Sequence, residues 1–462
     1  MNELKPKNWV FAIPEEERSS YILYAPLHHL TARISDQAQN ILVRLLHGQE
    51  VFGEESGQMK KFLADEGLMS FPQEWQSGSM PDSYFEYNSP ASNSTKHQII
   101  LSLTNKCNLR CVYCYAETGA DFTTMKWEVA KDAIDSLISE TLSSGNKEFS
   151  ILFHGGGEAF VEYFQLQQCV KYANERAGVE GLKASFSAVT NATLITPERA
   201  QWLKDSGFTH FTVSLDGVRE VHNRQRPHFK GIESFDKVMS GIRAIKDAGI
   251  HFSIRSTVTD IGVERMAEFV RFAAAEVFSQ NSGSIHFEPM SLCGRAAHSQ
   301  SGQLSTDPDN FIRNYMAAKQ AGEECDIKVS CTLDTFKREK KQYCGANTCT
   351  MVCVTPEGRL SSCSRVTKQS DVGSELFLYG SHSPETHNFT INKGQQSKVK
   401  EHGALPLKCT ECFACWNCQG DCPISRYAYP EHHKMSCRMT RQLLLESLKV
   451  ELEVANKPVR NK

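Results

Sequence analysis

The chain of 462 residues is long enough for two or three domains with sizeable cores. Its 51 Lys and Arg against 54 Asp and Glu leave a formal net charge of −3, which gives no reason to expect a nucleic-acid or membrane partner. No apolar run approaches the roughly 18 residues of a membrane span, and Met1-Asn-Glu-Leu-Lys-Pro-Lys-Asn8 lacks the apolar core of a signal peptide. A cytoplasmic protein is therefore expected, and in that compartment 17 cysteines point to metal ligation rather than disulfides.

Residues 1–90 form a small unit. Ser20-Tyr-Ile-Leu-Tyr-Ala-Pro26 reads as a strand, Ser35 to Leu46 has helical spacing with a stop at Gly48, and a second helix runs from Ser56 to Asp65 and ends near Gly67. Glu74 to Thr95, rich in Ser, Pro, Asn and Gly, reads as a linker. Over residues 96–300, apolar strand-like runs (Gln98–Leu103, Phe149–His154, Ala184–Thr190, His210–Leu215, Phe252–Val258 and Ser284–Met290) alternate with helical segments such as Lys126–Leu142, Pro197–Ser206 and Gly262–Phe278. This rhythm predicts an α/β fold with parallel strands and active residues on the loops after their carboxyl ends. Residues 301–340 read as a helical connector. Residues 341–445 show little regular pattern before a final helix over Met439–Glu453, and 446–462 are the end of that helix and a tail. Ten cysteines fall between positions 344 and 437, and metal clusters can stabilise a region so poor in core-forming periodicity.

The most informative segment is Cys107-Asn-Leu-Arg-Cys111-Val-Tyr-Cys114, directly after the run His97–Leu103. Three thiolates in a C-x3-C-x2-C run can ligate three irons of a [4Fe–4S] cubane and leave the fourth open for chemistry. A zinc knuckle is the competing reading, although zinc favours paired C-x2-C units and closed tetrahedra. The loop, with Tyr113 just before its last cysteine, resembles the radical S-adenosylmethionine (SAM) superfamily. The resemblance implies a partial, open (β/α)6 barrel in which the open iron chelates the amino and carboxylate groups of SAM. Electron transfer into the sulfonium then releases a 5′-deoxyadenosyl radical.

Four further segments resemble landmarks of that family. In His154-Gly-Gly-Gly-Glu158, residues Gly156, Gly157 and Glu158 match the stretch that holds the SAM amino group, with Ala159 where proline is usual. Thr190-Asn-Ala-Thr193 contributes Asn191, and Ser214 of Ser214-Leu-Asp-Gly217 resembles the family's ribose contact. Arg255, in Ile-Arg-Ser-Thr-Val, is expected to meet the SAM carboxylate, and Tyr113 to act through its backbone with its ring near the adenine. For an acid–base residue the sequence offers Glu288, at the end of the sixth strand, as a candidate.

The C-terminal region carries Cys344, then Gly358 and Cys363, then Cys409-x2-Cys412-x5-Cys418-x3-Cys422, and finally Cys437. This resembles the SPASM domain of peptide- and protein-modifying radical SAM enzymes, which implies two auxiliary [4Fe–4S] clusters and three in all. By position, Cys344, Cys349, Cys363 and Cys422 would hold the first, with Cys353 near enough to compete with Cys349. Cys409, Cys412, Cys418 and Cys437 would hold the second. A zinc ribbon over 409–422 is the alternative. The N-terminal unit resembles the winged-helix modules that bind leader peptides of ribosomally made natural products by adding a strand to a sheet edge; a plain cap on the barrel mouth would look alike.

Together these features predict a radical SAM enzyme that abstracts hydrogen from a peptide or protein side chain and installs a crosslink, thioether or related oxidation. A flavodoxin or ferredoxin would serve as electron donor. Sulfatase maturases resembling this chain carry an aspartate directly after the cysteine matching Cys363, whereas Ser364-Arg365 stands here. The rival readings are a radical SAM enzyme acting on a small-molecule cofactor precursor and a non-catalytic iron–sulfur peptide-binding protein.

Overall fold

The computed structural model describes residues 9–68, 97–119, 121–279, 282–298, 306–337 and 342–455. The linker expected over Glu74–Thr95 and the tail after Ala455 lie outside these residues. Seven parallel strands make the main sheet: β4 (His97–Leu101), β5 (Glu148–Phe153), β6 (Lys183–Thr190), β7 (Phe208–Ser214), β8 (His251–Val258), β9 (Gly283–Pro289) and β10 (Ile327–Cys331), laid side by side in chain order. On the far side of β4, strand β11 (Val352–Val354) pairs with it in parallel, and β12 (Arg359–Ser361), β13 (Leu378–Ser383) and β14 (Asn388–Ile391) continue the sheet in antiparallel fashion.

The six strands expected over residues 96–300 are all present, within two residues of their expected ends. Their runs are apolar because helices cover the sheet. The helix Trp127–Ser143 buries Val129, Ala130, Ala133, Ile134, Leu137 and Ile138 at three- and four-residue spacing. Phe153, Phe186, Phe208 and Phe211 stack through ring centroids 5.5–6.4 Å apart at the centre of the core. Caps fix where helices start. The Thr196 hydroxyl accepts from the Arg199 amide ahead of Pro197, and Asp307 accepts from Asn310 ahead of Pro308.

The connector and the final helix differ from expectation. The connector contains the helix Pro308–Cys325, but the chain then enters β10, which extends the sheet by one strand. Ile-Lys-Val-Ser-Cys has too short an alternation to stand out beside an 18-residue helix. The final helix runs Pro430–Ala455, starting nine residues before the expected Met439. Its first turns bury His432, His433 and Ser436 rather than aliphatic residues, so apolar periodicity does not reveal them.

The N-terminal unit is a three-stranded antiparallel meander of β1 (Phe11–Glu15), β2 (Ser20–Ala25) and β3 (Leu30–Ile34), with the helices Asp36–Leu46 and Glu54–Asp65. One layer of its core joins Val10, Leu23 and Ala25 to Leu42, Leu63 and Leu68 of the helical side. The other joins Ile13, Ile22 and Tyr24 to Leu444, Leu448 and Leu452 of the final helix. Tyr24 also donates to Asn417 Oδ1 at 3.0 Å, so this unit is fastened to the C-terminal region. No helix among the described residues is long and apolar enough to cross a membrane.

Candidate active site

The cysteine loop leaves the carboxyl end of β4 and is held by backbone bonds from several sides. Arg110 and Val112 amides donate to the carbonyls of Pro227 and Gln225 at 2.7 and 2.9 Å. The Arg110 guanidinium turns back onto the Cys107 and Leu109 carbonyls. Arg295, beyond β9, donates to the Cys111 and Thr118 carbonyls, and its amide to the Cys114 carbonyl. The loop is thus preformed. Burial pushes the Cys107 thiol up to about 11 and the Cys111 thiol up to about 12, so a cationic iron centre is what would hold them as thiolates.

The glycine segment after β5 docks on this loop. Gly157 and Glu158 amides donate to the Thr104 and Lys106 carbonyls at 3.1 and 2.9 Å. A Cβ on Gly157 would lie 2.3 Å from the Lys106 oxygen, so only glycine permits this approach. Tyr115 closes the other side by donating to the Gly155 carbonyl at 2.9 Å. Gly156 is buried against Asn105 and Thr367.

Glu158 itself is a brace. One carboxylate oxygen accepts from Thr190 Oγ1 (2.9 Å) and the Phe160 amide, and the other from the Asn191 amide (2.7 Å). Burial pushes its carboxyl up, against the pull of these donors. Asn191 in turn donates to Asn108 Oδ1 at 2.9 Å, tying the turn after β6 to the cysteine loop. Ser214 lies opposite Arg255 where β7 pairs with β8.

Tyr113 is placed by its hydroxyl as well as its backbone. The phenol donates to Asp216 and accepts from Arg226 at 2.5 Å, and Arg226 lies 3.8 Å from Asp216. Asp216 is buried and also accepts from Gln225 Nε2 and the Thr257 amide. No motif in the sequence marks this network, although Asp216 lies two residues after Ser214 in Ser214-Leu-Asp-Gly217. Arg255 reaches Glu288 at 3.7 Å, and Glu288 accepts from Thr332 Oγ1 at 2.5 Å and from His286 Nε2 at 3.1 Å. Burial raises this carboxyl, but the His286 bond, the Arg255 charge and the Thr332 bond outweigh it and hold it down to about 2. Glu288 is therefore an ionised anchor for Arg255, a poor proton acceptor.

Two further residues carry no sequence signal. Arg365 donates to the buried Cys293 thiol at 2.8 Å, and its guanidinium lies between the Tyr115 and Tyr429 rings at 5.9 and 6.0 Å. They lie between the Cys114 loop and the C-terminal cysteines, whose charges both reach Cys293.

In the C-terminal region, Cys344, Cys349 and Cys422 pack against one buried cluster made of Cys363, Ala346, Val366, Leu376, Phe377, Val399 and Ile424. Cys353 lies on β11, opposite Ser361 of β12 and Ile100 of β4, and is fully buried. A second group lines a cavity of about 260 Å³: Cys409, Cys412, Cys415, Cys418, His433 and Cys437. Zinc in a closed thiolate tetrahedron needs sulfurs about 3.8 Å apart, from Zn–S bonds of about 2.3 Å. Among the described residues, the group of potential ligands that crowds to within 4.8 Å is instead Asp421, His433 and Cys437. Cys409, Cys412, Cys418 and Cys437 surround an open cavity, the kind of thiol set that an iron–sulfur cluster takes.

A parallel α/β sheet with a three-cysteine loop at the carboxyl end of one strand, beside a glycine segment, defines the class of radical SAM proteins. Residues 101–273 match the Radical SAM superfamily. The chain thus carries, over those residues, a radical SAM domain, the domain of a superfamily whose members are enzymes. It is 25% identical over 359 residues to the serine-type anaerobic sulfatase-maturating enzyme of Bacteroides thetaiotaomicron, covering 70% of this chain and 81% of that one. It is 33% identical over 168 residues to the Fe-coproporphyrin III synthase of Methanosarcina barkeri, covering 36% of this chain and 38% of the synthase. Two of its curated relatives are thus spanned over only 59% and 38% of their length. Among solved structures, native anSMEcpe with bound AdoMet and Kp18Cys peptide superposes with a TM-score of 0.62 at 19% identity, over 78% of this chain and 99% of that one; this likeness concerns the fold.

Proposed function

We propose that the protein is a radical SAM maturase that modifies a peptide or protein side chain, with SAM, one SAM-binding [4Fe–4S] cluster and two auxiliary [4Fe–4S] clusters. The observation that supports this reading is that the C-terminal cysteines fall into two groups, one at the buried cluster that contains Cys363 and one lining the cavity of Cys409, Cys412, Cys418 and Cys437. When bound, SAM and its cluster supply hydrogen abstraction by a carbon radical.

The chain's own residues do the positioning. Cys107, Cys111 and Cys114 would hold the SAM-binding cluster. The Gly155–Gly157 backbone, fixed by Tyr115 and the Thr104 and Lys106 carbonyls, offers close approach to the SAM amino group. Arg255, oriented by Glu288, supplies a cation for the SAM carboxylate. Glu158 and Asn191 keep the three loops in register, and Asp216 with Arg226 fixes Tyr113. β3 is an outer strand of the N-terminal meander, and a leader peptide would bind by adding a strand to such an edge. An external flavodoxin- or ferredoxin-type donor completes the electron supply.

Coverage of 81% of a sulfatase-maturating enzyme favours a peptide or protein substrate. Ser364 after Cys363 favours an outcome other than sulfatase maturation. The partial match to the coproporphyrin synthase supports the second reading, a small-molecule tetrapyrrole substrate. Anaerobic co-expression with the short peptide encoded beside the gene, followed by intact mass, separates the two. A loss of about two hydrogens per site, absent with C107A, supports peptide oxidation by the cofactor-borne radical. An unchanged mass and no deuterium uptake from heavy water, with SAM cleavage active, moves the small-molecule reading to the front.

A further inference from the structure

A solvent-facing turn braced on the cysteine loop has no part in holding SAM or substrate. Leu109 and His228 form an antiparallel bridge. The Arg110 amide donates to the Pro227 carbonyl at 2.7 Å, and the Phe229 amide to the Asn108 carbonyl at 3.1 Å. The turn closes where the His228 amide meets the Ile232 carbonyl at 3.0 Å, and it leaves Phe229 and Ile232 51% and 54% exposed. Two cations flank the aromatic ring: the Arg110 guanidinium lies 5.7 Å from its centroid and the Lys230 ammonium 5.6 Å. Lys237 is close by. Burial holds the His228 imidazole below its usual value, and the charges of Lys237, Lys230 and Arg110 add to that. Among the described residues these three cations enter no salt bridge, and the neighbouring Asp236 pairs with Arg219 at 2.6 Å. In a chain of net charge −3, an exposed ring among unpaired cations is the makeup of a contact for an acidic partner.

We propose that this face, centred on Phe229 with Arg110, Lys230 and Lys237 about it, docks an acidic one-electron carrier protein that reduces the SAM-binding cluster directly. The turn is bonded to Asn108 and Arg110, inside the Cys107–Cys111 run, so a carrier seated on Phe229 stands beside the cluster those thiolates would hold. The carrier gives up one electron, which the cluster takes, and no bond forms or breaks. Electron-transfer encounters are small and transient, and complementary charge sets their rate more than area does. The rival entry is the cavity of the second cysteine set, which Lys408 and Arg441 also line. The inference rests on the reading of Cys107, Cys111 and Cys114 as holders of the SAM-binding cluster.

The test uses anaerobically reconstituted protein and an acidic flavodoxin, with sodium dithionite as a small reductant that needs no docking surface. Flavodoxin affinity is read by biolayer interferometry at low and high salt, and 5′-deoxyadenosine formation is followed with each reductant. K230E/K237E is expected to weaken flavodoxin binding and to slow the flavodoxin-driven rate about tenfold or more at low salt. The same variant should lose the parent's decline with added salt and keep the parent's dithionite-driven rate. F229S should weaken binding at both salt levels, and K408E/R441E should match the parent. Parent affinity in K230E/K237E overturns the inference. So does a loss confined to K408E/R441E, which would place electron entry at the second cysteine set. Weakened binding of a precursor peptide with flavodoxin binding intact would give the face to the peptide and overturn it too. Should K230E/K237E also lose its dithionite-driven rate, K230Q/K237Q decides: weaker flavodoxin binding supports the inference and parent affinity overturns it. A parent protein that cleaves no SAM with dithionite would bring down the reading of the cysteine loop, and the inference with it.

Discussion

Gly157→Ala changes one methyl group at the seam between the glycine segment and the cysteine loop. The added Cβ would lie 2.3 Å from the Lys106 oxygen and 2.5 Å from the Thr104 oxygen, both backbone atoms of the loop that carries Cys107. Relief requires the two segments to part, which breaks the amide bonds of Gly157 and Glu158 to those same carbonyls. Two such bonds are worth about 1 kcal/mol each, and forced overpacking adds roughly 1–3 kcal/mol. The expected total of about 3–5 kcal/mol, if it falls on the site, corresponds to SAM binding weaker by roughly 100- to 4,000-fold. Gly178→Ala is the control, because Gly178 is an exposed helical glycine with nothing within 4 Å of its Cβ position. It should stabilise the fold by about 0.5–1 kcal/mol and leave SAM affinity alone. Calorimetric titration of SAM into anaerobically reconstituted protein, with thermal unfolding alongside, reads both. A G157A protein that binds SAM as well as G178A does would refute the reasoning.

Other perturbations follow from the same geometry. C107A should abolish 5′-deoxyadenosine formation and lower iron by about four per chain, one cluster's worth; continued SAM cleavage would sink the assignment of that loop. C412A should harm substrate turnover more than uncoupled SAM cleavage, and equal loss of both would mean that the C-terminal region is needed simply to fold. R226M leaves the Asp216 carboxylate buried without its cation, so chemical denaturation should show a loss of about 3–5 kcal/mol, against about 1 kcal/mol for Y113F. His154 is held down to about 4 by burial, helped by the Arg255 charge. The folded state therefore resists a proton that the unfolded chain accepts below about 6.5, and stability falls as pH drops from about 6.5 to about 4 by up to roughly 3 kcal/mol. H154Q should flatten that limb of the denaturation profile, and an unchanged slope would count against the buried neutral imidazole.

The barrel strands were legible because each is an apolar run buried under helices, with a glycine or cap marking the next element. β1 and β3 were not: Phe-Ala-Ile-Pro-Glu carries a proline, and Leu-Thr-Ala-Arg-Ile is no more than half buried along its length. β11 and β12 have three residues each, too few for any period to register. The cysteine ligands could be read because their spacing is local. The Tyr113–Asp216–Arg226 network and the Arg365–Cys293 contact join residues about 70 to 110 positions apart, and no local pattern encodes such a meeting. Glu288 was found for its place at a strand end, but its role emerges only with Arg255, His286 and Thr332 around it. The sequence marks the N-terminal unit as a leader-binding module or a cap, and no local pattern shows what it packs on. Its fastening to the final helix through Tyr24 and the Ile13–Leu448 layer means that removing residues 1–90 would expose that helix, so strand-edge substitutions are the cleaner probe of peptide binding.

The pairing of β11 with β4 places Val352 beside Ile99, roughly 250 positions earlier in the chain. On a ribosome working at about 5–20 residues per second, β4 emerges some 12–50 s before the strand that covers this edge. Through that interval the first strand of the barrel offers an open edge, and the cysteine loop that follows it has no C-terminal neighbour. Pairing so distant in sequence is slow to form, and unpaired edges invite association between chains. Slower growth temperatures and abundant iron–sulfur delivery during synthesis should therefore raise the yield of intact protein more than either does once the chain has been released.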